Sequence, residues 1–181
     1  MKDLLACGST AGLLLACGTC AADAAVQDRA VQVNEQISVA WRCAPAQNGD
    51  TCVELRSMRG RKPATDTTPV LRLSFPLLED CDSAVVVDDD VNNDGTPDLS
   101  VFGDSSLSTS TRAVVLVTPG TGSLLFAGNL PVAAEKLSPG VYVTRESAGD
   151  SVQLTTYRFQ GMGRMKTSVA ISKIGSKKFA D

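Results

Sequence analysis

The chain has 181 residues, a formal net charge of −3 and 43% hydrophobic residues, enough for one domain with a sizeable core. The slight acidity gives no general attraction to nucleic acid or to anionic membranes. Histidine is absent, which removes imidazole metal ligands, Ser-His and Cys-His nucleophilic pairs and the commonest general base.

The sequence opens with Met1-Lys2-Asp3 and a mostly apolar run from Leu4 to Ala16. That run is too short and too interrupted to span a bilayer, and it has the layout of a secretion signal. Two processing sites remain open. Ala22-Asp23-Ala24 has the small-x-small form of an ordinary signal peptidase site. Leu14-Leu15-Ala16-Cys17 resembles a bacterial lipobox, which makes Cys17 a lipidation candidate. Cleavage after Ala24 leaves Cys43, Cys52 and Cys81, whereas cleavage before Cys17 leaves Cys20 as well and an even number. Either route leads out of the cytoplasm, to the periplasm or to an outer-membrane lipoprotein, where disulfides persist.

Beyond residue 24 the chain reads as β almost throughout. Strands are expected at Ile37–Cys43, Cys52–Met58, Val70–Phe75, Ser83–Val87, Leu99–Phe102, Ala113–Thr118, Ser123–Phe126, Val141–Thr144, Val152–Phe159 and Thr167–Lys173. Many alternate apolar with polar, as in Leu71-Arg72-Leu73-Ser74, which is the period of half-buried strands. Turn residues separate them, among them Pro119-Gly120-Thr121-Gly122, Pro139-Gly140 and Gly161-Met162-Gly163. Cys43 and Cys52 bracket an Asn48-Gly49 turn signal and are expected to form a disulfide stapling two strand ends. Cys81 is then left for Cys20 or for a buried thiol. Arg59–Thr68 is long and polar enough to be mobile, and a short helix is expected around Val132–Leu137. Regular strand spacing predicts an all-β fold, an antiparallel sandwich or a small propeller-like sheet array.

The most specific segment is Asp90-Val91-Asn92-Asn93-Asp94-Gly95-Thr96-Pro97-Asp98. Ca²⁺ takes six to eight oxygen ligands at ~2.3–2.6 Å, and oxygens at alternate positions of a tight loop converge on one point. Asp90, Asn92, Asp94 and Asp98 are expected to bind through side chains and Thr96 through its carbonyl. Gly95 supplies the bend at positive φ, and Pro97 stiffens the exit. An EF-hand would need a bidentate Glu at its twelfth position, and Val101 stands there. The flanks also read as strands, so the loop is a calcium turn in a β context. Of the twenty acids, Glu79, Asp80, Asp82, Asp88, Asp89, Asp90, Asp94 and Asp98 fall in this one stretch, where like charges repel unless a cation joins them. The bland alternative is an Asp-Gly hairpin turn with surplus acid around it.

The loop resembles the calcium loops of FG-GAP-type repeats, and residues 76 to 160 resemble a larger pattern. Val86-Val87-Asp88 leads into the Asp90–Asp98 loop, Leu99-Ser100-Val101 follows, then a polar loop Gly103–Arg112 and Val114-Val115-Leu116-Val117. Pro119-Gly120-Thr121-Gly122, Leu124-Leu125-Phe126 and Thr156-Tyr157-Arg158-Phe159 complete the order. This order is similar to a family of bacterial periplasmic proteins related to inhibitors of i-type lysozyme, which includes immunity proteins against secreted lysozyme-like toxins. The resemblance implies a β-domain with one structural calcium ion that inserts a loop into an enzyme cleft. It also implies a tyrosine or a Ser/Gly/Tyr element on that loop. Gly103–Arg112 has no tyrosine, and the nearest similar element is Ser138-Pro139-Gly140-Val141-Tyr142, which makes Tyr142 the partner-contact candidate; the bland alternative is an ordinary proline-glycine turn followed by a strand with a half-buried Tyr142.

Residues 1–24 are therefore read as an export signal and 25–181 as a single β-rich calcium-binding domain. The expected function is a binding or inhibitor module with a lysozyme-like partner, and not an enzyme. A structural or adhesive envelope protein is the alternative. A glycosidase built on Asp88 or Asp89 with Glu79 is less favoured, because carbohydrate sites usually need aromatic platforms and Trp41 is the sole tryptophan.

Overall fold

The computed structural model describes residues 29–46, 49–59, 62–63, 70–76, 78, 80–103 and 111–173. The export signal with Cys17, Glu79 and most of the polar loop after Phe102 lie outside these residues. The described residues form three consecutive antiparallel meanders and no helix. The first sheet holds β1 (Arg29–Gln32), β2 (Ile37–Pro45), β3 (Thr51–Arg59), β4 (Lys62–Pro63) and β5 (Leu71–Phe75), with β4 and β5 both paired to β3. The second runs β6 (Val85–Val87), β7 (Leu99–Phe102), β8 (Thr111–Val117) and β9 (Leu124–Pro131). The third runs β10 (Glu135–Ser138), β11 (Val141–Ala148), β12 (Ser151–Arg158) and β13 (Lys166–Lys173).

The second sheet is the middle layer, and its sequence shows why. Successive side chains of a strand point to opposite faces. On β8, Ala113, Val115 and Val117 join a core shared with Val39, Trp41, Val53 and Leu55 of the first sheet. Val114 and Leu116 point the other way, into a second core with Val91, Leu130, Tyr142 and Phe159. A strand covered on both faces must be a continuous apolar run, which is what Ala113–Val117 is. Leu125 and Ala127 of β9 face the second core, and so does Leu130, although its position has the opposite parity. The pairing explains this: Val114 faces Gly128 while Val115 faces Phe126, so a bulge shifts the register between them. A single inserted residue flips every later side chain to the other face. The bulge also leaves Gly128 where an added Cβ would lie 3.1 Å from the Met165 side chain, and the Met165 amide donates to the Ala127 carbonyl at 2.9 Å. The third sheet is thus fastened to the second at its base.

Two expectations are corrected here. The segment Val132–Leu137 is not helical: Val132-Ala133 turns the chain and Glu135–Ser138 is a strand paired to β11. The disulfide joins Cys43 to Cys81, not to Cys52. In the β2–β3 register Ala44 faces Cys52 while Cys43 faces Val53. Opposed residues share a face and neighbours along a strand do not, so the Cys43 and Cys52 side chains lie on opposite sides of the sheet. Cys52 is a buried thiol. Cys43 points toward the segment before β6, where Trp41 Nε1 also donates to the Cys81 carbonyl at 2.9 Å. Of the polar stretch Arg59–Thr68, Arg59 ends β3 and residues 62–63 form β4, whereas 60–61 and 64–68 are not among the described residues.

Candidate functional site

Strands β6 and β7 form a hairpin whose connection is the acid-rich loop. The Asp88 amide donates to the Asp98 carbonyl at 2.8 Å, closing the loop base. Within it, Asp90 shapes the backbone: its Oδ1 accepts from the Asp94 amide at 3.0 Å and its Oδ2 from the Gly95 amide at 2.7 Å. Asn92 Oδ1 also receives the Asp94 amide, at 3.3 Å. Asp94 Oδ1 accepts from the Thr96 amide at 3.0 Å, and its Oδ2 accepts from Asn92 Nδ2 at 2.8 Å. Gly95 has φ 90°, as a bend at this point requires. Sequence reasoning did not foresee that Asn93 also takes a left-handed conformation, at φ 61°. Asparagine tolerates that region better than other side-chain-bearing residues.

The structure brings Asp90, Asn92, Asp94 and Thr96 together in one turn and gives Asp98 a different setting. Asp98 is fully buried. Its Oδ2 accepts from the Val91 amide and its Oδ1 from the Val117 amide, both at 2.9 Å. It therefore pins the loop to the end of β8. Burial raises its carboxyl pKa to about 6, against the lowering effect of the two amides, and the nearby Asp94 charge adds to the rise. Among the described residues no three His, Cys, Asp or Glu side chains gather closely enough to hold a metal by themselves. A metal in this loop would need the Asn92 and backbone oxygens alongside Asp90 and Asp94. Those donors fit chemically: each carboxylate oxygen of Asp90 and Asp94 accepts a hydrogen bond from within the loop, and an ionised carboxylate has about four acceptor sites.

The loop also joins two sheets. Val91 is fully buried in the second core. Asn92, 6% exposed, extends its Nδ2 to the Gly161 carbonyl at 3.0 Å and to the Met162 sulfur at 3.7 Å, in the turn between β12 and β13. Beside the loop, Asp88 Oδ2 receives Arg112 Nη1 and the Ser100 hydroxyl, both at 2.6 Å. Asp89 is exposed and meets Lys136 at 3.4 Å.

Tyr142, the expected contact residue, lies under this region. It is 3% exposed and packs edge-on against Phe159 with ring centroids 5.8 Å apart. Burial, helped by the Asp88 charge, pushes its phenol up to about 12. A side chain so covered cannot project into a partner, and its role is to fill the second core. The turn before it is constrained as well: a Cβ on Gly140 would lie 2.6 Å from the Phe159 carbonyl oxygen. A shallow pocket lies elsewhere, on the first sheet, lined by Ala40, Arg42, Glu54, Arg56, Met58 and Val70 among others. Glu54 there is gripped by Arg42 at 2.5 Å and Arg72 at 2.7 Å.

Comparison of the chain with family models, with curated proteins and with solved structures finds no match.

Proposed function

We propose that the protein is a non-catalytic, calcium-clamped binding module of the cell envelope. The observation that carries this reading is the β6–β7 loop itself. Asp90, Asn92 and Asp94 are organised by backbone amides into a compact turn, while Asn92 and Val91 tie that turn to the third sheet. A cation held by Asp90, Asn92, Asp94 and the Thr96 carbonyl would relieve the repulsion between adjacent acids. It would stiffen the joint between the second and third sheets. Asp98 would act beneath the ion as an anchor to β8. The Cys43–Cys81 disulfide supports an oxidising compartment, where calcium is plentiful. The acidic surface around Asp80, Asp82 and Asp89 would attract a basic partner of the lysozyme-like kind. Such a partner would have to be met by loops other than the turn carrying the buried Tyr142. A purely structural envelope role would share the calcium loop and lack the partner.

The test is thermal unfolding in calcium and in chelator, with a panel of lysozymes added afterwards. Calcium at a hundredfold excess over its Kd stabilises by about 2.7 kcal/mol, or roughly 5–11 °C for a chain of this size. Asp94→Ala should melt in calcium near the temperature of chelated wild type. Equal melting temperatures for variant and wild type in calcium would sink the site. A further rise with one lysozyme favours the inhibitor reading, and no rise with any favours the structural one.

A further inference from the structure

Strand β13 is the outer edge of the third sheet: it pairs with β12, and among the described residues nothing pairs with its other side. Edge strands are usually blunted by proline, by bulges, by shortness or by charges along their length. This one spans eight residues with an unbroken register against β12. It has no proline, and its charges stand only at its two ends, Lys166 and Lys173. Its middle presents Val169 and Ile171 to solvent at 57% and 69% exposure. Both lie on the same face, since residues two apart on a strand do.

The pattern of the strand reads the same in both directions about Ala170: Ser168-Val169-Ala170-Ile171-Ser172. We propose that β13 is a homodimerisation edge, pairing antiparallel with β13 of a second copy about a twofold axis at Ala170. An isologous contact must be self-complementary, each residue meeting the partner position that meets it in return. With the axis at Ala170, Val169 faces Ile171 of the partner subunit and Ile171 faces Val169 of the partner subunit. Ser168 then faces Ser172 of the partner subunit. Apolar cross-strand pairs of this kind are what stabilise a ladder. A twofold axis pairs residues of like parity, so the outward amides and carbonyls of one strand meet those of the other. Moving the axis to Val169 sets Ile171 against a threonine, and moving it to Ile171 sets Val169 against a lysine. In the Ala170 register no lysine faces a lysine, since Lys173 meets a threonine and the position opposite Lys166 is 174, an isoleucine outside the described residues. The two third sheets would become one continuous eight-stranded sheet. Occupation of this edge by an extended segment of another protein would lack the reason the palindromic pattern supplies.

The experiment is sedimentation of the full chain over a wide concentration range, for wild type, Ile171→Lys and Val169→Lys. The exposed positions should accept lysine without loss of fold, which circular dichroism checks. The expected result is a dimer in wild type and a monomer in both variants. A second measurement uses Ala170→Cys and Ser168→Cys under mild oxidation. Opposed Cα atoms in an antiparallel pair lie about 4.5–5.5 Å apart, within the span of a disulfide. Ala170→Cys should therefore give a covalent dimer above the wild-type background, and Ser168→Cys should not. A wild type that sediments as a monomer at every concentration, a dimer that survives both lysine variants, or equal cross-linking of the two cysteine variants would each overturn the proposal.

Discussion

Replacing Tyr142 by alanine separates its two roles most cleanly. The ring is 3% exposed and shares the second core with Val91, Val114, Leu116, Leu130 and Phe159. Truncating a buried aromatic to alanine costs about 3–5 kcal/mol, because the transfer free energy is lost and a cavity remains. The edge-on pair with Phe159 adds about 0.5–1.5 kcal/mol, for a total of roughly 4–6 kcal/mol. At about 2–4 °C per kcal/mol, the melting temperature should fall by roughly 8–24 °C. Tyr142→Phe keeps the ring and removes only the hydroxyl, so it should stay within about 1 kcal/mol of wild type. The assay is urea unfolding followed by Trp41 fluorescence, with the midpoint converted at a common slope. A Tyr142→Ala variant within about 1 kcal/mol of wild type would refute the packing argument. If Tyr142→Phe were to lose partner binding at unchanged stability, the residue would be a contact after all.

The other predictions concern the turn, the disulfide and the buried ion pair. Gly140→Ala should destabilise by about 1–3 kcal/mol, since φ there is +70° and the new Cβ meets the Phe159 carbonyl. An unchanged urea midpoint would count against so close an approach of that turn to Phe159. Peptide mapping without reductant should recover Cys43 linked to Cys81. Cys81→Ser should lose about 4 kcal/mol, the chain-entropy value for a loop of this size, the two cysteines being separated by 38 positions. A Cys43–Cys52 peptide would refute the register. Glu54 is pulled two ways: burial would raise its carboxyl pKa, but its bonds to Arg72 and Arg42 outweigh burial and hold it below the ordinary 4.5. A carboxyl lowered by folding stabilises above its unfolded pKa, and that contribution fades as pH falls through the folded value. Wild type should therefore lose stability below pH 4.5 more steeply than Glu54→Gln, and parallel acid limbs would show that the arginines do not set this carboxyl.

Much of the strand content is legible because alternation and turn residues are local signals. Leu99–Phe102 reads at its observed bounds, and the expected positions of β2, β3, β5, β8, β11, β12 and β13 lie within a few residues of the observed ones. The segments that differ have physical reasons. Val132–Leu137 lacks proline and glycine and so suits a helix, but Glu135–Ser138 gains a ladder to β11 that no local propensity records. β1 shows no alternation, since its two apolar residues, Ala30 and Val31, stand side by side between Arg29 and Gln32. The Cys43–Cys52 expectation rests on loop length, whereas the choice is made by face: one position of register puts the two thiols on opposite sides of β2 and β3.

Asp98 and Tyr142 show where local reading stops at the site. The spacing of Asp90, Asn92, Asp94 and Asp98 says which oxygens can converge, but not which donors reach them first. Asp98 meets the Val117 amide 19 positions downstream, and only the pairing of β7 with β8 brings that donor close. Tyr142 falls in the expected strand Val141–Thr144 directly after a proline-glycine turn, so local reading offers both a contact beside the turn and a half-buried strand position. The fold covers it almost completely, because the third sheet lays its base over the outer face of the second. Both residues are claimed by the same layer-on-layer contact that buries Val91 and anchors Asn92. The acid loop is thus at once the most recognisable local motif and the least independent one. Whatever ion or partner it serves, perturbing it must register in how firmly the third sheet is held. Hydrogen exchange of β11 and β12 should therefore respond to Asn92→Ala, with the base strands Tyr142–Val143 and Thr155–Phe159 losing protection before the first sheet does. If protection of those strands were unchanged while the first sheet loosened, the loop would not be the joint that its bonds to Gly161 and Met162 make it.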